Sequence, residues 1–230
     1  MPTEPEKLTV SVTERDSVTA LLYPPAKKDR NGITLLLGHG AGADQLSTFM
    51  RMFASGMAER GFDAMTFNFL YKEQGRGAPD PKAKLEACYR SVIEAALTLK
   101  KLKGNRLIIG GKSMGGRIAS QVAALDAGGI RGLVFLGYPL HPPGRPDKMR
   151  DAHLKEIRPP MLCFQGSRDA FGAADELRAV IKRDKLPMTL HEIEGGDHSF
   201  KVPKSAKLTQ QDVHELIMDT TAGWALTQIA

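Results

Sequence analysis

The stretch RLIIGGKSMGGRIASQVAAL, Arg106 to Leu125, sets one serine among glycines where an apolar run gives way to helical spacing. Gly111-Lys112-Ser113-Met114-Gly115 fits G-x-S-x-G, which between a strand and a helix marks a tight turn that projects a nucleophilic hydroxyl. Side chains two residues to either side would collide with the neighbouring strand and helix, and glycine removes both collisions. A serine hydroxyl attacks only when a base takes its proton and a carboxylate holds that base in the right tautomer. QGSRDAFG places Asp169 just after one apolar run, and EGGDHSF places His198 after another. Asp197 competes for the acid role, but adjacent residues do not easily face each other, so Asp169 is preferred. Simpler readings exist for each residue alone: a helix cap for Ser113 or Asp169, an exposed loop histidine for His198.

An acyl-transfer intermediate also needs backbone donors aimed at its oxyanion. GHGAG, Gly38 to Gly42, supplies one at Ala41, where small neighbours let the backbone approach the reacting carbonyl. The amide of Met114, next after the serine, supplies the other. His39 beside that loop reads as structural. Two phosphate readings fail on spacing: the first glycine of a P-loop would fall at Arg106, and GHGAGA is followed by Asp44, Gln45 and Ser47 instead of an immediate helix.

The elements that must carry these residues are legible as alternating patterns. ITLLLGHG, FDAMTFNF, RLIIGG, GLVFLGY, PPMLCFQG and MTLHEIEG are short apolar runs that read as strands buried on both faces. Between them lie helical stripes: Phe49, Met50, Phe53 and Met57; Leu85, Cys88, Tyr89, Val92, Ala96 and Leu99, behind an Asp80 cap and Pro81; Ile118, Val122 and Leu125; Leu177, Val180 and Ile181; Val213, Leu216, Ile217 and Trp224. Residues 7–23 alternate around Glu14-Arg15-Asp16 as an antiparallel hairpin. The pattern predicts one α/β domain over residues 1–230, a mainly parallel sheet with helices on both faces and no separate cap domain. Ligands gather at the carboxyl ends of such strands. The long proline-rich segment from Tyr138 to Pro160 is expected to overhang the site. Substrate contacts are expected at Tyr138, Leu140 and His141, and at Phe69 and Tyr71 after another strand.

Composition narrows the classes. Hydrophobic residues at 42% and charged residues at 25% suit a globular chain, and a net charge of +6 spread along the sequence gives no basic stripe for nucleic acid. Cys88 and Cys163 fall within a helical and a strand pattern and imply no disulfide framework. No signal-like or membrane-spanning run is present in MPTEPEKLTVSV or beyond, so a cytoplasmic location away from membranes is expected. No cofactor or metal is called for; the expected partner is a small-molecule acyl substrate.

Taken together, HGAGAD, FNFLY with GRGAPD, GKSMGGR, YPLHPPGRPDKMRDAHL, QGSRDAFG and GGDHSF resemble the α/β-hydrolase superfamily over nearly the whole chain. The resemblance is to the small, capless, dienelactone-hydrolase-like branch. More narrowly, it is to the family of testis-expressed hydrolase-like proteins and the hydrolase-like subunit of the NSL chromatin complex. It implies Ser113, Asp169 and His198 as a catalytic triad, with Ala41 and Met114 as oxyanion donors. Dienelactone hydrolases proper use cysteine where this chain has serine, which points from lactones towards esters or related acyl bonds. The same family contains assembly subunits, so an interaction protein on a hydrolase scaffold is the alternative.

Overall fold

The computed structural model describes residues 4–229. Strands β1 (Glu6–Ser11) and β2 (Ser17–Tyr23) form the expected hairpin, its turn closed by Thr13 Oγ1, which accepts from the Arg15 and Asp16 amides at 3.2 and 3.0 Å. Next come β3 (Ile33–Gly38), β4 (Asp63–Phe67), β5 (Arg106–Lys112), β6 (Ile130–Leu136), β7 (Met161–Gly166) and β8 (Met188–Ile193). The eight strands lie in the order β1-β2-β4-β3-β5-β6-β7-β8. β2 meets β4 antiparallel, and every pairing from β4 to β8 is parallel. Such pairings require crossovers, which the helices provide.

These are α1 (Thr48–Glu59), the single turn α2 (Leu70–Glu73), α3 (Lys82–Thr98), α4 (Met114–Leu125), α5 (Ala174–Asp184) and α6 (Gln210–Gln228). Because successive strand residues face opposite sides, the sheet carries two apolar layers. On one face Leu36, Ile109, Leu133 and Phe135 pack with α3, α4 and α5; on the other Leu35, Leu37, Ile108, Val134 and Leu136 pack with α1 and α6. The sheet is therefore mainly parallel, covered by helices on both faces, with an antiparallel hairpin at one edge: the α/β-hydrolase fold.

Two sequence expectations need correction. β8 is an edge strand whose middle residues are partly exposed, not a strand buried on both faces. The N-cap of α3 is Pro81, with no side-chain cap, because the Asp80 carboxylate pairs with Arg76 at 2.7 Å. Tyr138 to Pro160 holds a short 3-10 turn, Leu154–Glu156, and is pinned by the Arg150 amide, which donates to the Leu140 carbonyl at 2.8 Å. Among the described residues no helix is long and apolar enough to cross a membrane.

Candidate active site

β5 ends in the centre of the sheet, and the chain must reverse at once to start α4. Ser113 makes that reversal with φ 51° and ψ −114°, a conformation that non-glycine residues rarely occupy and that costs energy to hold. Its neighbours show why glycine flanks it. A Cβ at Gly111 would stand 2.1 Å from the Gly38 carbonyl oxygen, and one at Gly115 2.0 Å from the same atom. Ser113 occupies the N-cap position of α4 without capping it. Its Oγ instead lies 2.8 Å from His198 Nε2.

His198 follows β8, and its Nδ1 lies 2.7 Å from Oδ2 of Asp169, which follows β7. Asp169 is 3% exposed. Gln165 Nε2 donates to its Oδ2 at 3.0 Å and the Phe171 amide to its Oδ1 at 2.8 Å, so both carboxylate oxygens are fixed. It caps no helix, since α5 begins at Ala174. Asp197 is taken up in its own turn, accepting from the Ser199 and Lys201 amides at 2.7 and 2.9 Å. The Phe171 ring stacks on the His198 imidazole at 4.2 Å between centroids. In this arrangement an imidazole can draw the proton from the hydroxyl while the carboxylate holds its tautomer.

Ala41, Ser113 and Met114 line one cleft of about 300 Å³. Neither the Ala41 nor the Met114 amide has a hydrogen-bond acceptor among the described residues. The Ala41 loop is braced from behind: Tyr71 Oη donates to the Ala41 carbonyl at 2.8 Å. His39 is fully buried, its Nδ1 2.8 Å from the Gly40 carbonyl and its Nε2 accepting from the Phe69 amide at 3.2 Å. Burial pushes its pKa down to about 4, so it stays neutral. A structural role fits.

The side chains expected to touch substrate are elsewhere. Phe69, Tyr71, Tyr138, Leu140 and His141 are all buried, and none lines the cleft beside Ser113. Tyr138 is sealed in a polar cluster, donating to the Arg150 carbonyl at 3.1 Å and lying 3.3 Å from Ser120 Oγ. His141 Nε2 meets Glu176 at 3.0 Å. Phe69 and Leu140 belong to the apolar core. Their places just past strand ends suggested them, but there Phe69 and Leu140 are taken up by the core, and Tyr71, Tyr138 and His141 by internal hydrogen bonds. The cleft walls are instead Pro79, Asp80, Pro139, Arg117, Arg150 and Phe171. Tyr138 to Pro160 therefore does reach the site, through Pro139 and Arg150.

One residue beside the serine was not singled out by its sequence. Lys112 Nζ donates to the His198 carbonyl at 2.5 Å and lies 5.1 Å from the centre of the Phe200 ring. Burial lowers its pKa to about 8, opposed by the negative charges of Asp169 and Asp197. A larger cavity of about 520 Å³ between the end of β8 and α6 includes none of Ser113, Asp169 and His198. Among the described residues no three His, Cys, Asp or Glu side chains group as metal ligands would.

Residues 31–226 match the model of the alpha/beta hydrolase domain family. Among solved structures, an alpha-beta serine hydrolase homologue from Coxiella burnetii superposes with a TM-score of 0.75 at 16% identity, over 96% of this chain and 99% of that one. A lidless serine hydrolase from Xanthomonas campestris gives 0.74 at 18%, over 100% and 98%. A dienelactone hydrolase from Anabaena variabilis gives 0.75 at 18%, over 99% and 100%. At these identities the superpositions speak for the fold alone, and the family match, over most of the chain's length, speaks for descent: the chain belongs to the alpha/beta hydrolase domain family.

Proposed function

We propose that this protein is a serine hydrolase that cleaves a small ester or related acyl bond through Ser113, His198 and Asp169. The observation that carries this reading is the unbroken chain from Ser113 Oγ to His198 Nε2 at 2.8 Å and from His198 Nδ1 to Asp169 at 2.7 Å, in a cleft open to substrate. His198 takes the Ser113 proton as Oγ attacks the acyl carbon. The resulting oxyanion is met by the unsatisfied Ala41 and Met114 amides. His198 passes its proton to the leaving alcohol as the acyl-enzyme forms, then deprotonates the water that releases the acid. No metal or cofactor enters this scheme. A cleft of about 300 Å³ without a lid favours short acyl groups over long ones. The narrower resemblance, to the testis-expressed and NSL-subunit hydrolase-like family, rests on the sequence blocks alone.

A fluorophosphonate probe, which reacts only with an activated serine, tests the reading directly. Wild type is expected to label, and Ser113→Ala and His198→Ala to stay unlabelled while folded. Asp169→Asn is expected to lose most labelling rate and most hydrolysis of 4-nitrophenyl acetate and butyrate, and Asp197→Asn to keep both. An unlabelled, folded wild type would refute the proposal, and the reverse ranking of the two aspartates would move the acid role.

A further inference from the structure

The cleft beside Ser113 contains two guanidinium groups, of Arg117 and Arg150, that form no ion pair with any carboxylate among the described residues. Arg117 lies one turn into α4, and its amide donates to the Ser113 carbonyl at 3.0 Å. Its Nε is completely buried and has no hydrogen-bond acceptor among the described residues. Arg150 enters the same cleft from the segment between β6 and β7. Only its backbone is engaged, with Leu140 and Tyr138, and its side chain has no hydrogen-bond or ion-pair partner among the described residues.

The nearby acids are committed elsewhere. Asp80, also in the cleft, pairs with Arg76 at 2.7 Å. Glu86 lies between Lys82 at 3.5 Å and Arg90 at 3.6 Å. Asp151 pairs with Arg183 at 2.6 Å. Asp80 Oδ2 and Glu86 Oε1 lack hydrogen-bond donors, yet both carboxylates sit in ion pairs with cations other than Arg117 and Arg150. Burial and the charge of Arg150 lower the pKa of Arg117, opposed in smaller part by Tyr138 and Glu86, so each guanidinium raises the electrostatic cost of holding the other. No side-chain nitrogen of Arg117 has a hydrogen-bond acceptor among the described residues, so a guanidinium that lines the cleft keeps its donors for a ligand. Guanidinium groups are suited to carboxylates, because their planar fork matches both oxygens at once.

We propose that Arg117 and Arg150 bind a carboxylate on the substrate, so that the preferred ester carries a negative charge a few bonds from the acyl carbon attacked by Ser113. This rests on the serine-hydrolase reading for its chemistry, but the anion site can be tested without turnover. The carboxylate would accept from the guanidinium nitrogens of Arg117 and Arg150 that face the cleft, relieve the repulsion between the two cations and orient the acyl carbon towards Ser113.

Two matched pairs of esters, followed by acid release at constant pH, decide it: monomethyl adipate against methyl hexanoate, and 3-acetoxybenzoate against 3-tolyl acetate. The first pair puts the charge on the acyl side, the second on the alcohol side. The expected result is at least a tenfold preference in kcat/KM for the anion in one pair. Arg117→Met and Arg150→Met should each reduce that preference, the ratio of the two esters within one protein, at least fivefold, and Arg117→Lys should restore part of it. Equal rates within both pairs in a wild type that hydrolyses the neutral esters would overturn the anion site and leave the hydrolase standing. Titration of Ser113→Ala with monomethyl adipate separates the opposite case. Saturable binding, weakened at least tenfold by adding Arg117→Met, supports the site even if no ester is turned over. No binding, or binding indifferent to both arginine substitutions, overturns it.

Discussion

Ser113 holds a backbone conformation that its own side chain disfavours, and the surrounding sheet enforces it. That much is legible in the sequence, because G-x-S-x-G between a strand and a helix specifies the turn and the glycines that permit it. Asp169 and His198 are legible for the same reason: each stands just past a strand end, where side chains reach the carboxyl edge of the sheet. Lys112, Arg117 and Arg150 are not. A lysine or arginine in a sequence looks like surface, and only the fold decides whether solvent or a neighbouring backbone receives its charge. Lys112 acts through another residue, tying β5 to the carbonyl of His198. Lys112→Met is therefore expected to lower kcat roughly tenfold, about the worth of one charge-assisted hydrogen bond, with little change in KM. Because burial sets the Lys112 pKa to about 8, its ammonium is half deprotonated near that pH and holds His198 less firmly as the pH rises through it. Wild-type kcat should fall above about pH 8, and Lys112→Met should lack that limb. A parallel decline in both proteins would assign Lys112 to structure alone.

At the scale of elements, the alternation of apolar runs and helical stripes fixes eight strands and the principal helices, but not their places in the sheet. MTLHEIEG carries Thr189, His191 and Glu192 among its apolar residues, in keeping with β8 at an edge of the sheet with its middle residues partly exposed. The five expected substrate contacts are a different case: a place just past a strand end does not say whether a side chain turns to the cleft or inward, and all five are buried away from it. Close packing between elements is better encoded, through glycine. Gly115 lets α4 approach β3 so tightly that a Cβ would meet the Gly38 backbone, and the centre of the sheet cannot yield. Gly115→Ala is expected to destabilise the protein by about 3 kcal/mol or more and to misplace Ser113. Gly223, in the interior of α6, is exposed with open space around its Cβ position. Gly223→Ala should stabilise by about 0.5–1 kcal/mol through helix propensity. Urea unfolding of the two variants checks both signs, and a neutral Gly115→Ala would mean that the close approach of α4 to β3 is not a constraint.

The whole molecule inherits a pH dependence from two histidines held as neutral groups, His39 fully buried and His153 partly so. His39 braces the Ala41 loop, while His153 Nε2 lies 2.8 Å from Ser120 Oγ of α4, holding the segment between β6 and β7 against that helix. Burial lowers the pKa of each to about 4, and for His153 the nearby cations Lys82 and Arg117 add to the shift. Between pH 6.5 and about 4 the unfolded chain binds protons at these positions and the native chain does not, so stability falls as the pH falls through that window. The loss approaches roughly 3 kcal/mol for each histidine at the bottom of the window, a large share of the 5–15 kcal/mol typical of a whole domain. Carboxylates also titrate below pH 5, so the total slope alone does not identify the cause. His153→Gln separates them, because it removes one titrating ring while leaving a side chain able to accept from Ser120. Urea unfolding at pH 7 and pH 4.5 should show the variant losing about 2–3 kcal/mol less than wild type between the two conditions, even if its stability at pH 7 is lower. Equal losses would place the acid sensitivity in the carboxylates and show that His153 takes up its proton without unfolding the chain.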